Sequence, residues 1–311
     1  GVLSNLASDA LSRVAQGAKD TAKEVIDLGK TFELSLSNVQ ALSGASADDM
    51  ARLEAKSREL GGTTTFSAAQ VADAFGYMAL AGWDTEQSID GINGVLTLAQ
   101  AGSMDLASAS DLLTDYLSAF SMQASDAATM TDVLAYAQGN ANTNVEQLGA
   151  AFKNCAANCN AAGMDVQTTT AFISELSNQG LKGSEAGTAL NAVMRDMTAK
   201  MSDGAIKIGD ASVAVMDANG NYRDMVDIMR DVESATNGMG DAEKASALQS
   251  TFTADSIKGL NLILNAGTDE LGSFRDELYN SKGAAQDMAA TMTDNLAGDL
   301  SNLDSALEEV G

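Results

Sequence analysis

Apolar residues recur at helical spacing through most of this chain. Between residues 3 and 42, Leu3, Leu6, Ala10, Val14, Ala18, Ala22, Val25, Ile26 and Phe32 fall three or four apart, which predicts a long amphipathic helix. The spacing does not hold a strict heptad, so the stripe suits ordinary core packing or an oligomeric seam. Near the other end Leu296, Leu300, Leu303 and Leu307 repeat the pattern and predict a helix over 284–310. Segments 222–235, 241–251, 254–265 and 268–279 read as shorter helices.

Polar residues mark where these helices start. Ser67 with Gln70 and Asp84 with Gln87 have capping-box spacing, and Asn144 and Asp165 stand at simple N-cap positions. Glycines mark the stops: Gly82, Gly102, Gly139, Gly163, Gly180 and Gly267 are expected to close helices in the left-handed region. A degenerate repeat emerges, with Gln70 to Phe75 leading to Gly82-Trp83-Asp84, and Gln147 to Phe152 leading to Gly163-Met164-Asp165. Each copy reads as helix, glycine turn, helix. One stretch departs from helix: Ala205-Ile206-Lys207-Ile208, then Ser212 to Met216, then Asn221-Tyr222-Arg223. Its β-branched residues flank Asp217-Ala218-Asn219-Gly220, and Asn219-Gly220 is the predicted turn of a small β-hairpin.

Composition sharpens the helical reading. Proline is absent from all 311 residues, and 45% hydrophobic with 5% aromatic residues implies a core of Ala, Leu, Val and Met. The expected fold is mostly α: a multi-helix array of helical hairpins with one small β-hairpin and long amphipathic helices at both ends. The expected divisions are an N-terminal amphipathic helix over 1–45, a helical core with the hairpin repeat over 46–203, the β-hairpin over 204–224, and a C-terminal helical segment over 225–311. The chain opens on Gly1 without an initiator Met, as expected of a piece of a longer polypeptide.

Two motif runs carry a resemblance. Leu60-Gly61-Gly62-Thr63-Thr64-Thr65-Phe66-Ser67-Ala68-Ala69-Gln70 and Gly180-Leu181-Lys182-Gly183-Ser184-Glu185-Ala186-Gly187-Thr188-Ala189-Leu190 strongly resemble the core region of phage tail tape measure proteins. The likeness continues through Ser246 to Phe252 and Asn295 to Glu309. It gives Gly61, Thr64, Phe66, Ser67, Gln70, Gly82, Gly102, Gly163, Gly180, Gly183, Glu185, Gly187, Thr188 and Leu190 structural rather than catalytic roles. The resemblance implies a structural protein of the virion tail, in the tube lumen or at the tip, that sets tail length, organises assembly and leaves ahead of the DNA. It further implies copies contacting one another as a trimer or hexamer, contacts with tail-tube and tail-tip or hub proteins, and assembly with tail chaperones. Such a protein would pass from host cytoplasm during assembly to host envelope on ejection.

A formal net charge of −25 disfavours nucleic-acid binding, because that affinity rests on Lys and Arg neutralising phosphates. Histidine is absent, which removes the commonest general base and metal ligand. Cys155 and Cys159 share a helix face, half of a possible metal site, but are better read as packed thiols. Asp217 to Gly220 lacks the ligand alternation and closing glutamate of a calcium loop. Gly180, Gly183 and Gly187 lack the Gly-Lys-Ser/Thr of a phosphate loop, and suit a helix connection with Ser184 as N-cap and Gly187 permitting close helix approach. Trp83, the sole tryptophan, reads as a core anchor.

No catalytic, cofactor-binding or metal-binding residue is therefore expected, and no cofactor. No run reaches the roughly 18 apolar residues of a membrane span, so membrane contact would fall to regions outside this sequence. Two other readings compete with the tape measure reading: a peptidoglycan-degrading tail enzyme using an acidic pair, and a secreted helical effector.

Overall fold

A computed structural model describes residues 28–294. Most of the amphipathic stripe predicted over 3–42 lies outside the described residues, as do Leu296, Leu300, Leu303 and Leu307. The chain forms two compact units, which take 28–96, 105–111 and 290–294 in one case and 97–104 and 112–289 in the other.

In the first unit, helix α1 covers 28–43, α2 Ala47–Gly61 and α3 Ala68–Leu80. α1 buries Phe32 against Ala68, Ala69 and Ala72 of α3, with Leu36 packed beside them. The Arg58 guanidinium of α2 covers the Phe32 ring at 4.7 Å. The unit also holds most of α4, Thr85–Gly102, whose start is a full capping box: the Asp84 carboxylate accepts from Gln87 N–H at 2.9 Å and Gln87 Oε1 from Asp84 N–H at 3.0 Å.

The second unit is built around α8, Val166–Asn178, which is buried over nearly its whole length. Around it pack α6 (Ala127–Asn140), α7 (Val145–Ala161), α9 (Ser184–Lys200), α12 (Ala254–Ala266) and α13 (Thr268–Tyr279). α5, Leu106–Ala119, brings Tyr116 edge-on to Phe152 of α7 at 5.2 Å, and Phe120 packs on the same ring at 5.3 Å. Tyr116 fits because Gly149 stands opposite it; a Cβ there would lie 1.4 Å from the Tyr116 hydroxyl. Cys155 and Cys159 are buried in α7, where the hydrogen bond to Cys159 and burial push the Cys155 thiol well above its ordinary pKa.

The strands are β1, Ala205–Ile208, and β2, Ala211–Ala214, antiparallel with Ile206 opposite Val213. They pack on α10 (Met225–Thr236) and, through β1, on α11 (Asp241–Leu248). The turn between them is Gly209-Asp210, not the expected Asn219-Gly220. Burial explains the difference: this pairing puts Ile206, Ile208 and Val213 inside. Asn219-Gly220 forms a second turn instead, closed by an isolated bridge between Met216 and Tyr222. There the Asp217 carboxylate accepts from Asn219 N–H at 2.8 Å and Asn221 N–H at 2.9 Å, so a side chain takes donors that a longer ladder would use.

Gly82, Gly163, Gly180 and Gly267 all have positive φ, from 77° to 99°. At Gly82, Gly163 and Gly180 the same double closure recurs, for example Met164 N–H to Cys159 C=O at 2.9 Å with Gly163 N–H to Asn160 C=O at 3.0 Å. Gly102 and Gly139 depart from expectation. Gly102 is the last residue of α4 and Ser103 takes the left-handed position at φ 50°; Gly139 lies within α6. The Ser103 and Met104 N–H groups find the terminal carbonyls of Gln100 and Ala99, which offsets the strain on a non-glycine residue. Ser103→Gly is accordingly expected to raise stability by about 0.5–1 kcal/mol, read as a higher urea midpoint at unchanged slope. Gly163→Val is expected to lower it by about 1–2 kcal/mol, since φ is 77° and Tyr222 Cβ stands 3.3 Å from the new Cβ.

Candidate functional site

The two motif runs both form helix junctions. In the first, α2 ends at Gly61, where a Cβ would lie 2.7 Å from the Ala68 nitrogen of α3; only glycine lets the chain double back so closely. The threonines finish the turn. Thr63 and Thr64 hydroxyls donate to the carbonyls of Glu59 and Leu60 at 2.8 Å, and Thr64 Oγ1 accepts from Phe66 N–H at 3.2 Å. α3 then starts with a reciprocal box, Ser67 Oγ accepting from Gln70 N–H at 3.2 Å and Gln70 Oε1 from Ser67 N–H at 2.9 Å. Phe66 is half-buried.

In the second junction, Gly180 (φ 90°) closes α8 and Gly183 (φ 55°) precedes α9. Ser184 is not the N-cap: it is the first helical residue, and Gly183, which has no side chain to cap with, stands in that place. Positive φ at this point excludes a β-extended serine cap. Glu185 is exposed in the first turn of α9, where its charge suits the helix dipole, and Thr188 is exposed too, while Leu190 is fully buried. Gly187 meets α7. A Cβ there would be 2.2 Å from the Ala151 carbonyl oxygen, so the two helices approach backbone to backbone. Asn154 Nδ2 donates to Ser184 C=O at 3.1 Å and Asn158 Nδ2 to Asn191 Oδ1 at 2.6 Å along the same seam. Trp83 is half-buried with its ring on Gly91, where a Cβ would be 2.2 Å from it.

Three carboxylates that the sequence reading did not single out do comparable work in the second unit. Asp196 of α9 is 6% exposed and accepts from Thr253 N–H at 2.9 Å, Thr253 Oγ1 and Ser256 Oγ at 2.6 Å, and Arg195 at 2.9 Å. Burial alone raises its pKa, but the hydrogen bonds from Ser256, Thr253 and Arg195 outweigh it and hold the carboxyl well below the usual range. Glu233 of α10 accepts from Thr268 N–H at 3.4 Å and from its hydroxyl. Asp132 of α6 accepts from Gly283 N–H at 2.8 Å and Ala285 N–H at 3.0 Å, at the start of α14 (Ala284–Thr293). Thus α12, α13 and α14 are each capped by an acid from an earlier helix. Thr253 and Gly267 at the starts of α12 and α13 make no side-chain cap bond of their own, which leaves those helix ends to the incoming acids.

This chemistry is structural. A carboxylate held below its usual range by two hydroxyls is a weak base, and those hydroxyls are spent as donors. Among the described residues no three or more His, Cys, Asp or Glu side chains converge to hold a metal ion, and no helix is long and apolar enough to cross a membrane.

The profile of the family described as phage-related minor tail protein matches residues 54–252, from α2 through the end of the hairpin layer. This chain belongs to that family. It is similar to the tape measure protein of Pneumococcus phage Dp-1, 31% identical over 92% of this chain and 25% of the relative, and to the probable tape measure protein of Escherichia phage P2, 26% identical over 99% of this chain and 38% of the relative. It therefore spans between a quarter and two fifths of these relatives' lengths. No solved structure matches it.

Proposed function

We propose that this chain is a region of a tail tape measure protein, which sets tail length, organises tail assembly and leaves the particle ahead of the DNA. The observation that carries this reading is the similarity to a tape measure protein over 92% of the chain. The structure supports a role built on helix contacts, through tight glycine junctions and the close seam between α7 and α9. In this reading copies of the chain associate as a trimer or hexamer, contact tail-tube and tail-tip proteins, and fold with tail chaperones. The protein resides in the tube lumen or tip, after assembly in the host cytoplasm and before passage to the envelope.

Release requires the region to leave a narrow tube. A compact unit the size of the second one is on the order of 40 Å across, so it occupies a widened chamber or rearranges to pass. The two cysteines are free thiols, so no cross-link opposes that rearrangement. Quantitative mass spectrometry of intact and DNA-emptied particles tests the reading. Peptides from this region are expected in intact tails and depleted after ejection; full retention in emptied tails would overturn the release step.

A further inference from the structure

We propose that the groove between α1 and α3 is a docking site for a basic amphipathic helix of a partner protein, its Lys or Arg paired with Asp73 and its apolar face seated on Val39 and Leu42. The groove exists because α3 carries Gly76 where α1 crosses it: a Cβ there would already touch Leu42 Cδ1 at 3.5 Å and Val39 Cγ2 at 3.9 Å. The resulting notch is about 250 Å³ and is lined by Asn38, Val39 and Leu42 from α1 and by Asp73, Gly76 and Tyr77 from α3. That is below the roughly 300–1,000 Å³ of pockets that enclose small molecules, and suits anchor side chains from a helix laid across it.

Its surroundings are apolar in an otherwise acidic chain. Leu42 is 47% exposed, Leu34 lies on the same side of α1 at 63%, and Leu80 is 66% exposed about two turns along α3 from Asp73. Among the described residues Asp73 is the single charged one lining the groove. It is half-buried, and no hydrogen bond or ion pair reaches it among the described residues. The cations of α2 are engaged elsewhere: Arg52 with Glu86, Lys56 with Glu59, and Arg58 with Glu54 and the Phe32 ring. A half-buried carboxylate on an apolar floor is matched by an ammonium or guanidinium on an apolar stem.

Charge also decides between occupants. A second copy would bring the same −25 chain, and a two-fold pair across this face would set Asp73 near its own counterpart. A basic segment gains on both counts, through attraction over distance and pairing at contact. The inference does not rest on the tail-length reading, since it follows from this groove alone.

Selection from a randomised short-peptide library on the intact chain, run beside Asp73→Asn and Asp73→Lys variants, tests it. Peptides enriched on the natural chain are expected to carry Lys or Arg three or four positions from Leu, Ile or Met, and to bind Asp73→Asn about fivefold more weakly. Asp73→Lys is expected to select Asp or Glu at that place. Because Asp73 has no partner to lose among the described residues, unfolding midpoints of the variants should match that of the natural chain, which separates lost docking from lost folding. Selected peptides without a basic preference, no enrichment at all, or binding indifferent to Asp73 would overturn the proposal. So would sedimentation showing self-association that Leu42→Asp abolishes, which assigns the face to a second copy.

Discussion

Replacing Gly187 with alanine is expected to destabilise the second unit by about 3 kcal/mol, read as a lower urea midpoint, although alanine is the better helix former. Helix propensity alone favours the substitution by about 1 kcal/mol. Against that stands the Ala151 carbonyl oxygen, 2.2 Å from the new Cβ; being backbone within α7, it moves only if α7 and α9 separate. Separation loosens the seam that holds Asn154 to Ser184 and Asn158 to Asn191, and overpacking of this kind costs about 1–3 kcal/mol or more. Gly139→Ala is the matched control. It too lies inside a helix, but its Cβ would meet only the terminal methyl of Met288 at 3.3 Å. There the propensity gain should prevail, with stability unchanged or raised by up to about 1 kcal/mol. The same change in two helices thus takes opposite signs.

Asp196→Ala is expected to cost about 3 kcal/mol, because it strands the Thr253 N–H and two hydroxyls in a place 6% exposed. The pH dependence gives a sharper test. The folded state holds this carboxyl below its unfolded value of about 4, so its contribution is fully present above that pH and lost as pH falls beneath it. Asp196→Asn should therefore be markedly less stable near neutrality, with the gap to the natural protein narrowing as the solution is acidified below about pH 4. Comparing the two proteins removes the slope contributed by other acids. A gap that stays constant with pH would show that Asp196 contributes shape rather than charge.

Local signals were legible in the sequence where cause and effect lie within one turn of helix. Ser67 with Gln70, Asp84 with Gln87, Asn144 and Asp165 all cap helices, because each bond spans three residues and needs no knowledge of the fold. The helices expected over 222–235, 241–251, 254–265 and 268–279 were likewise readable from their period, whereas of the one expected over 284–310 the described residues hold Ala284–Thr293. What remained hidden depends on chain segments that meet only in the folded state. Asp196 reaches Ser256, 60 residues on, and Asp132 reaches Ala285, 153 residues on. No local pattern distinguishes these acids from the many that face water. The hairpin was found but not its register, since Asn219-Gly220 is the stronger turn signal while burial of Ile206, Ile208 and Val213 selects Gly209-Asp210. Ser103 shows the converse limit: a serine occupies a left-handed position beside a glycine that stays helical. The groove at Gly76 and its unpartnered Asp73 appear only once α1 is laid on α3.

The most direct measurement of the tape measure reading is tail length. Phage whose copy of this gene carries in-frame internal deletions or duplications would be imaged by electron microscopy and their tails measured. The account predicts lengths that shift in step with the residues removed or added, by up to about 1.5 Å per residue where the ruler is an extended helix. Tails of unchanged, uniform length across the whole series would contradict it.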